Sequence, residues 1–276
     1  MHGLILFLVA AACLCRGQAQ RTVALTFDDL PAAGRLPLAE ARQVNEGILA
    51  ALKGAGAPAV GFVNEGRLEV AGEFDRRLSL LRSWVDAGHD LGNHTCSHLD
   101  LNNTPLLVYQ NDILKGERLI RPMMAGAGKQ LVWFRHPYTH TGPTQQIKFN
   151  LELFLKRKGY QIAPFTIENS DWLFSDVWRD AIRRGEREAA GRIQAAYLDY
   201  TETMFGYFER LAAEQFGREI PQVLLLHANP LNAEVLPELL RRIRARGYKF
   251  IPLQAAVADA AYEARDGYVG KHGPSY

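Results

Sequence analysis

Thr22-Val23-Ala24-Leu25-Thr26-Phe27-Asp28-Asp29 is a short apolar run that ends in two adjacent carboxylates and passes into Leu30-Pro31. Its β-branched and aromatic residues make it a strand, and the acids close it. Carboxylates side by side repel, and a protein accepts that where positive charge stands close by, a metal ion being the obvious source. Taken alone, the pair is more simply an acidic turn or a helix cap. What stands at the ends of the other strands decides between the two.

Short β-branched runs alternate with helical patterns along the rest of the chain, which predicts a mainly parallel α/β fold. Val44, Ile48 and Leu52 recur at helical spacing and stop at Gly54 to Pro58; residues 59–63 are the second strand. Helical patterns are predicted over 74–87, from Thr104-Pro105 to about 126, over 144–158, from about Glu186 to Phe216, and over 236–246. Strands are predicted at 89–93, 131–134, 160–167, 222–226 and 248–253. The pattern beginning near Glu186 carries Ile193, Tyr197, Tyr200, Met204, Tyr207 and Leu211, and reads as one long helix packed on the core. Asp28, Asp29, His94, Arg135, Asp171 and His227 each follow a predicted strand at its C-terminal end. In parallel sheets and barrels those ends converge on one face, so groups far apart in sequence can share a pocket.

With 276 residues, 47% hydrophobic and 22% charged, the composition is that of a globular chain with a sizeable core. A net charge of +2 and no Lys/Arg-rich run leave no footprint for nucleic acid. Arg241, Arg242, Arg244 and Arg246 share one amphipathic helix and read as its solvated face. No linker or repeat interrupts residues 20–276, which are expected to form a single domain. Residues 1–19 differ: an apolar run from Leu4 to Ala12 precedes Gly17-Gln18-Ala19, the pattern of a signal peptide cut near Ala19. The run is too short to span a bilayer, so the mature chain is expected without an integral span and exported, to the periplasm or beyond. A lipoprotein anchor at Cys13 is the lesser reading. Cleavage would leave Cys96 as the one cysteine, and the fold then rests on its core and not on a disulfide.

His94-Thr95-Cys96-Ser97-His98 places two imidazoles four residues apart, where a helical turn would put both on one face to bind one ion. Alone the spacing is as readily two surface histidines. Joined to a carboxylate from another strand end it becomes a His-His-Asp set with room for a water, the ligand count of a catalytic zinc site.

Five pieces, Thr26-Phe27-Asp28-Asp29, His94 to His98 with its Gly92-Asn93 lead-in, Arg135-His136-Pro137-Tyr138, Asp171-Trp172 and Leu224-Leu225-Leu226-His227, resemble in order the polysaccharide deacetylases, carbohydrate esterase family four or the NodB homology domain. The resemblance runs over nearly all of residues 22–253. It implies an irregular (β/α) barrel, here with a long helical insertion before the last strands. It also implies a divalent metal, zinc by default and cobalt as a substitute, held by Asp29, His94 and His98, with Asp28 as catalytic base. His227 would be the general acid, Asp171 its orienting partner, and Arg135 the residue that aims Asp28. The backbone N–H of Tyr138 would meet the oxyanion, and Trp172 and Leu225 would wall the acetyl methyl; those two side chains are equally readable as plain core.

The sequence departs from the family pattern in places. The third motif commonly reads Arg-Pro-Pro-Tyr-Gly, and here His136 and Thr139 replace a Pro and the Gly. His136 and His140 are expected as exposed loop histidines, and Glu168 stands where an Asp is common. Cys96, off the face of the two histidines, is expected to pack. The expected activity is hydrolysis of N-acetyl groups on an N-acetylhexosamine glycan, with acetate released. Hydrolysis of another non-peptide C–N bond or of an O-acetyl ester is the alternative. A non-catalytic carbohydrate-binding protein would have lost Asp28 or His227, and both are present.

Overall fold

The opening stretch forms β1 (Thr22–Leu30), buried along nearly its whole length. The structure, a computed structural model, describes residues 20–264 and 266–270, so the signal-peptide reading of residues 1–19 falls outside the described residues. After β1 come α1 (Leu38–Ala55), β2 (Ala59–Val63), α2 (Phe74–Asp86), β3 (Asp90–Asn93), α3 (Leu106–Lys115), α4 (Ile120–Gly126) and β4 (Trp133–Phe134). They are followed by α5 (Gln145–Arg157), β5 (Gln161–Ile162), α6 (Asp171–Arg183), α7 (Arg187–Phe216), β6 (Gln222–His227), α8 (Pro230–Ala245), β7 (Lys249–Phe250) and α9 (Leu253–Ala256).

Every strand pair is parallel, in the order β5-β4-β3-β2-β1-β6, with β7 also joined to the start of β1. Because side chains alternate along a strand, β1 serves two cores at once. Val23, Leu25 and Phe27 lie in the large cluster beneath the helices, whereas Ala24 joins Val60, Phe62, Trp133, Ala163 and Val223 in a smaller cluster on the other face. Burial on both faces is why the strands read as near-continuous apolar runs. The parity that puts Ala24 on the inner face puts Thr26 and Asp28 there too.

The segment after β4 brings the sheet round on itself. The N–H groups of Gln161 and Ala163 donate to Val132 and Phe134 at one edge (2.7 and 2.8 Å), and those of Thr166 and Ile167 donate to Val223 at the other (2.9 and 3.0 Å). The result is the irregular barrel of parallel strands and surrounding helices expected from the sequence.

Element boundaries differ in several places: α8 starts at Pro230, behind the Asn229 cap, and not at 236, β4 is shorter than expected, and four further differences have larger consequences. The expected strand over 160–167 is regular only at β5, because Pro164 has no N–H for a ladder. The helical pattern from Thr104 breaks into α3 and α4 at Gly116, which ends α3. The last expected strand is cut to β7 by Pro252, which leads into α9. The fourth difference is α6, a helix the sequence reading did not place, so the insertion before β6 is a helical hairpin of α6 and α7 and not one helix. Among the described residues no helix is long and apolar enough to cross a membrane. Two arginines at the end of α8 are ion-paired and only partly exposed: Arg242 with Asp199, Glu202 and Glu238, and Arg246, just past the helix, with Glu209.

Candidate active site

Adjacent residues of a strand point to opposite faces, so Asp28 and Asp29 would part company in a regular β1. They do not, because the ladder with β2 is irregular between Phe27 and Leu30 and Asp29 sits at φ 74°. A left-handed backbone costs a non-glycine residue about 1 kcal/mol or more, and here it turns the second carboxylate back into the cavity holding the first. Among the described residues, the non-glycine positions with positive φ are Asp29, Thr95, His98, Tyr138, Thr139 and Ser170. Five of them line one cavity of about 770 Å³ at the C-terminal ends of the strands, and the sixth, Thr95, lies between the two histidines.

Asp29, His94 and His98 converge there, with one ligand atom from each within 4.8 Å of the others. Oδ1 of Asp29 is 3.2 Å from Nε2 of His98 and 3.7 Å from Nε2 of His94. The two imidazoles are not carried on a helical turn, as the spacing led us to expect. They ride a loop whose left-handed residues at Thr95 and His98 fold it over. The loop is held by its polar neighbours: Asn93 Oδ1 accepts from Thr95 N–H, Asn64 Nδ2 donates to His94 O, and Asp112 accepts from both N–H and Oγ of Ser97. Its Thr95-Cys96 peptide also lies against Gly116, where a β-carbon would come within 2.7 Å of backbone atoms. Only a glycine leaves that space.

The donor set fits a divalent ion. Nδ1 of His94 donates to the Arg135 carbonyl (2.8 Å), which leaves the lone pair of Nε2 toward Asp29, the tautomer a ligating histidine needs. Burial holds both His94 and His98 down at about 4 against the pull of Asp29, so both are neutral near pH 7. Burial would raise the Asp29 carboxyl, but Arg67 and then the histidines hold it at about 2, ionised. Oδ1 of Asp29 is buried with no hydrogen-bond donor of suitable geometry. Cys96 contributes nothing to this set.

Arg67 is the participant that sequence reasoning missed. Its Nη2 lies 3.0 Å from Asp29 Oδ1, and its Nη1 donates to Ala32 O at 2.8 Å. It follows β2 by four residues, and a position just past a strand end is the one signal that could have raised it. Arg135 stands on the other side of the pair: Nη1 is 3.4 Å from Asp28 Oδ1, and Nη2 donates to Thr26 Oγ1 and Pro164 O. It is fully enclosed between the rings of Phe62 (4.6 Å) and Phe165 (5.5 Å), a cation fixed inside the barrel. Burial raises the Asp28 carboxyl above its ordinary value, while Arg135 and His227 pull it back.

Across the cavity, His227 ends β6 and Asp171 begins α6. Asp171 Oδ1 is 2.7 Å from Nδ1 of His227, and its Oδ2 accepts from His227 N–H (2.7 Å) and Asn229 Nδ2 (2.9 Å). Burial alone would lower the imidazole pKa; the adjacent Asp171 charge and hydrogen bond overcome it and raise His227 to about 10. Asp171 is thus both the first residue of a helix and the partner of His227.

Tyr138, Trp172 and Leu225 all line the cavity. Tyr138 and Trp172 stand half exposed at its mouth, Tyr138 edge-on to His98 (4.5 Å), while Leu225 lies buried at its floor. Glu168 lines it as well, held by the N–H of Ser170. The expectation for His136 is corrected. It is 95% buried, edge-on to Phe134, because its strand parity carries it under the chain and not into solvent. Its neighbour His140 is half-buried and bonded to Asp100 (2.7 Å).

Comparison with known proteins points to the same fold. The sequence model described as polysaccharide deacetylase matches residues 16–152. No curated protein matches the chain. Among solved structures, a family 4 carbohydrate esterase from Streptomyces lividans in complex with acetate is 20% identical, covers 86% of this chain and 95% of its own, and superposes with a TM-score of 0.54. The polysaccharide deacetylase Bc1974 from Bacillus cereus is 19% identical over 84% of this chain and 92% of its own, with a TM-score of 0.57. BA3943 from Bacillus anthracis, a CE4 family pseudoenzyme, is 15% identical over 87% of this chain and 66% of its own, also at 0.57. At such identities the likeness establishes the fold, and the pseudoenzyme warns that the fold does not by itself bring activity.

Proposed function

From its membership of the polysaccharide deacetylase family, we propose that this chain hydrolyses the N-acetyl groups of an N-acetylhexosamine-containing glycan with a divalent metal, zinc by default, held by Asp29, His94 and His98. The observation that carries the reading is one cavity with that ligand triangle at its centre, Asp28 with Arg135 on one side and His227 with Asp171 on the other. When bound, the ion would polarise the acetyl carbonyl and acidify the attacking water.

The rest falls to the chain's own residues. Asp28, whose basicity burial increases, takes the proton of the water that adds to the carbonyl carbon. Arg135 keeps Asp28 ionised and aimed, and the backbone N–H of Tyr138 meets the developing oxyanion. His227 carries a proton at neutral pH and delivers it to the nitrogen as the C–N bond breaks, leaving acetate and a free amine. Trp172 and Leu225 wall the acetyl methyl. Residues 1–19 would direct export, which places the enzyme where such glycans are found.

The test is acetate release from peptidoglycan, chitin oligomers, an exopolysaccharide and acetylated xylan, with and without chelator. Release from N-acetylated substrates that chelator stops and zinc restores supports the reading. Release from the xylan alone would replace it with O-deacetylation, and release insensitive to chelator would remove the metal.

Asp171→Asn should lower kcat by about 100-fold with little change in KM, the size expected for a mispositioned general acid. It should also shift the alkaline limb of the kcat profile, set by His227 near 10, down toward the ordinary imidazole value of about 6.5. Because the folded-state pKa is raised, the pair's stabilising contribution is full below about pH 6.5 and is lost as pH rises through about 10. Melting temperatures of wild type and Asp171→Asn should therefore converge as the medium becomes strongly alkaline.

A further inference from the structure

Behind Asp171, away from the cavity, a chain of buried polar side chains runs into the long helix α7. Asp171, Asn169, Tyr197, Thr201 and Asn232 are all fully enclosed. Asn169 Nδ2 donates to both Tyr197 Oη (2.9 Å) and Thr201 Oγ1 (3.0 Å). Tyr197 Oη donates to Asn232 Oδ1 (2.8 Å), and Asn232 Nδ2 donates to Asp171 Oδ2 (2.5 Å) and to the carbonyl of His227 (2.9 Å).

The direction of every bond is dictated. Asp171 Oδ2 and the His227 carbonyl only accept, so the Asn232 amide must turn its NH₂ toward them and its oxygen away. That oxygen then needs a donor, and the one it has is the Tyr197 hydroxyl. Tyr197 has a single proton and receives a bond from Asn169, so its proton is committed to Asn232. Burial raises the phenol pKa well above its ordinary value, so the proton stays.

We infer that α7 inserts Tyr197 as a positioning residue for the general acid: its hydroxyl locks the Asn232 amide, which locks Asp171, which aims His227. Asp171 Oδ2 is thus filled by three donors, leaving Oδ1 to His227 Nδ1 alone. The inference rests on the reading of Asp171 and His227 as the pair that protonates the leaving amine. It gives the long helix a task that the bare barrel lacks. Tyr197 touches no substrate, and its effect passes through two side chains.

Tyr197→Phe keeps the ring and removes only the bond. In full-length, zinc-loaded enzyme acting on N-acetylglucosamine oligomers, it should lower kcat about five- to tenfold, the span of one buried hydrogen bond, with KM within about twofold. Two further readouts separate positioning from general loosening. On 4-nitrophenyl acetate, whose leaving group needs no proton, Tyr197→Phe should match wild type. Added to Asp171→Asn, it should change kcat on the oligomers by less than about twofold, because its route is already cut. An equal loss on both substrates, an undiminished loss in the Asp171→Asn background, or wild-type kcat in Tyr197→Phe would overturn the inference. Near-normal kcat in Asp171→Asn by itself would instead overturn the reading of the acid pair on which it stands.

Discussion

Asp29→Ala is expected to lose bound metal and to cut acetate release at least about a thousandfold, since an electrostatic stabiliser of the developing oxyanion commonly carries two to three orders of magnitude and the activated water goes with it. Asp29 is the only carboxylate in the triangle, and the two imidazoles beside it are neutral. Without it a divalent ion would face two neutral donors and the guanidinium of Arg67, 3.0 Å from where the carboxylate oxygen had been. The loss of metal can be read without any substrate. Zinc at a hundred times its Kd should stabilise the wild-type fold by about 2.7 kcal/mol, seen as a rise in melting temperature, and should leave Asp29→Ala unmoved. A variant that still binds one zinc per chain would remove Asp29 from the ligand set.

Asp28→Asn separates the other half of the pair. It is isosteric and leaves Asp29, His94 and His98 in place, so the zinc-dependent rise in melting temperature should persist while kcat falls about a thousandfold, in the range of a lost general base. The variant also leaves Arg135 buried without its anion. That guanidinium keeps its bonds to Thr26 and Pro164 and its two aromatic faces, so the destabilisation should stay near 2 kcal/mol, below that of a fully orphaned buried charge. Near-normal kcat with metal bound would show that another group takes the proton.

The two variants draw on different parts of the same structure. Asp28 faces inward by strand parity, as Ala24 and Thr26 do deeper in the barrel, and a reader who knew which face of β1 pointed inward could have placed it. Asp29 reaches it only because the backbone turns left-handed there. The same contrast recurs at His94 and His98. Their spacing was legible, but a helical turn was the wrong carrier: Asn64, Asn93, Asp112 and Gly116, spread over more than fifty residues of sequence, shape the loop that holds them. His136 was misplaced for the reverse reason. A polar residue in a loop-like motif reads as exposed, yet two positions after Phe134 it still follows the buried strand.

Periodicity in the sequence pointed to the parallel α/β fold, the five ordered motifs to the family and its barrel, and strand-end chemistry to Asp28, Asp29, His94, Arg135, Asp171 and His227 but not to Arg67. They work because strand alternation and apolar burial are local rules, repeated every two residues. The tertiary structure alone decided how those groups divide: the break in β1 that brings both aspartates to one cavity, Arg67 against one of them and Arg135 against the other, and the path from Asp171 through Asn232 to Tyr197 on α7. Those arrangements depend on contacts between distant segments and on strained dihedrals that only the packed fold maintains, and neither leaves a period in the sequence.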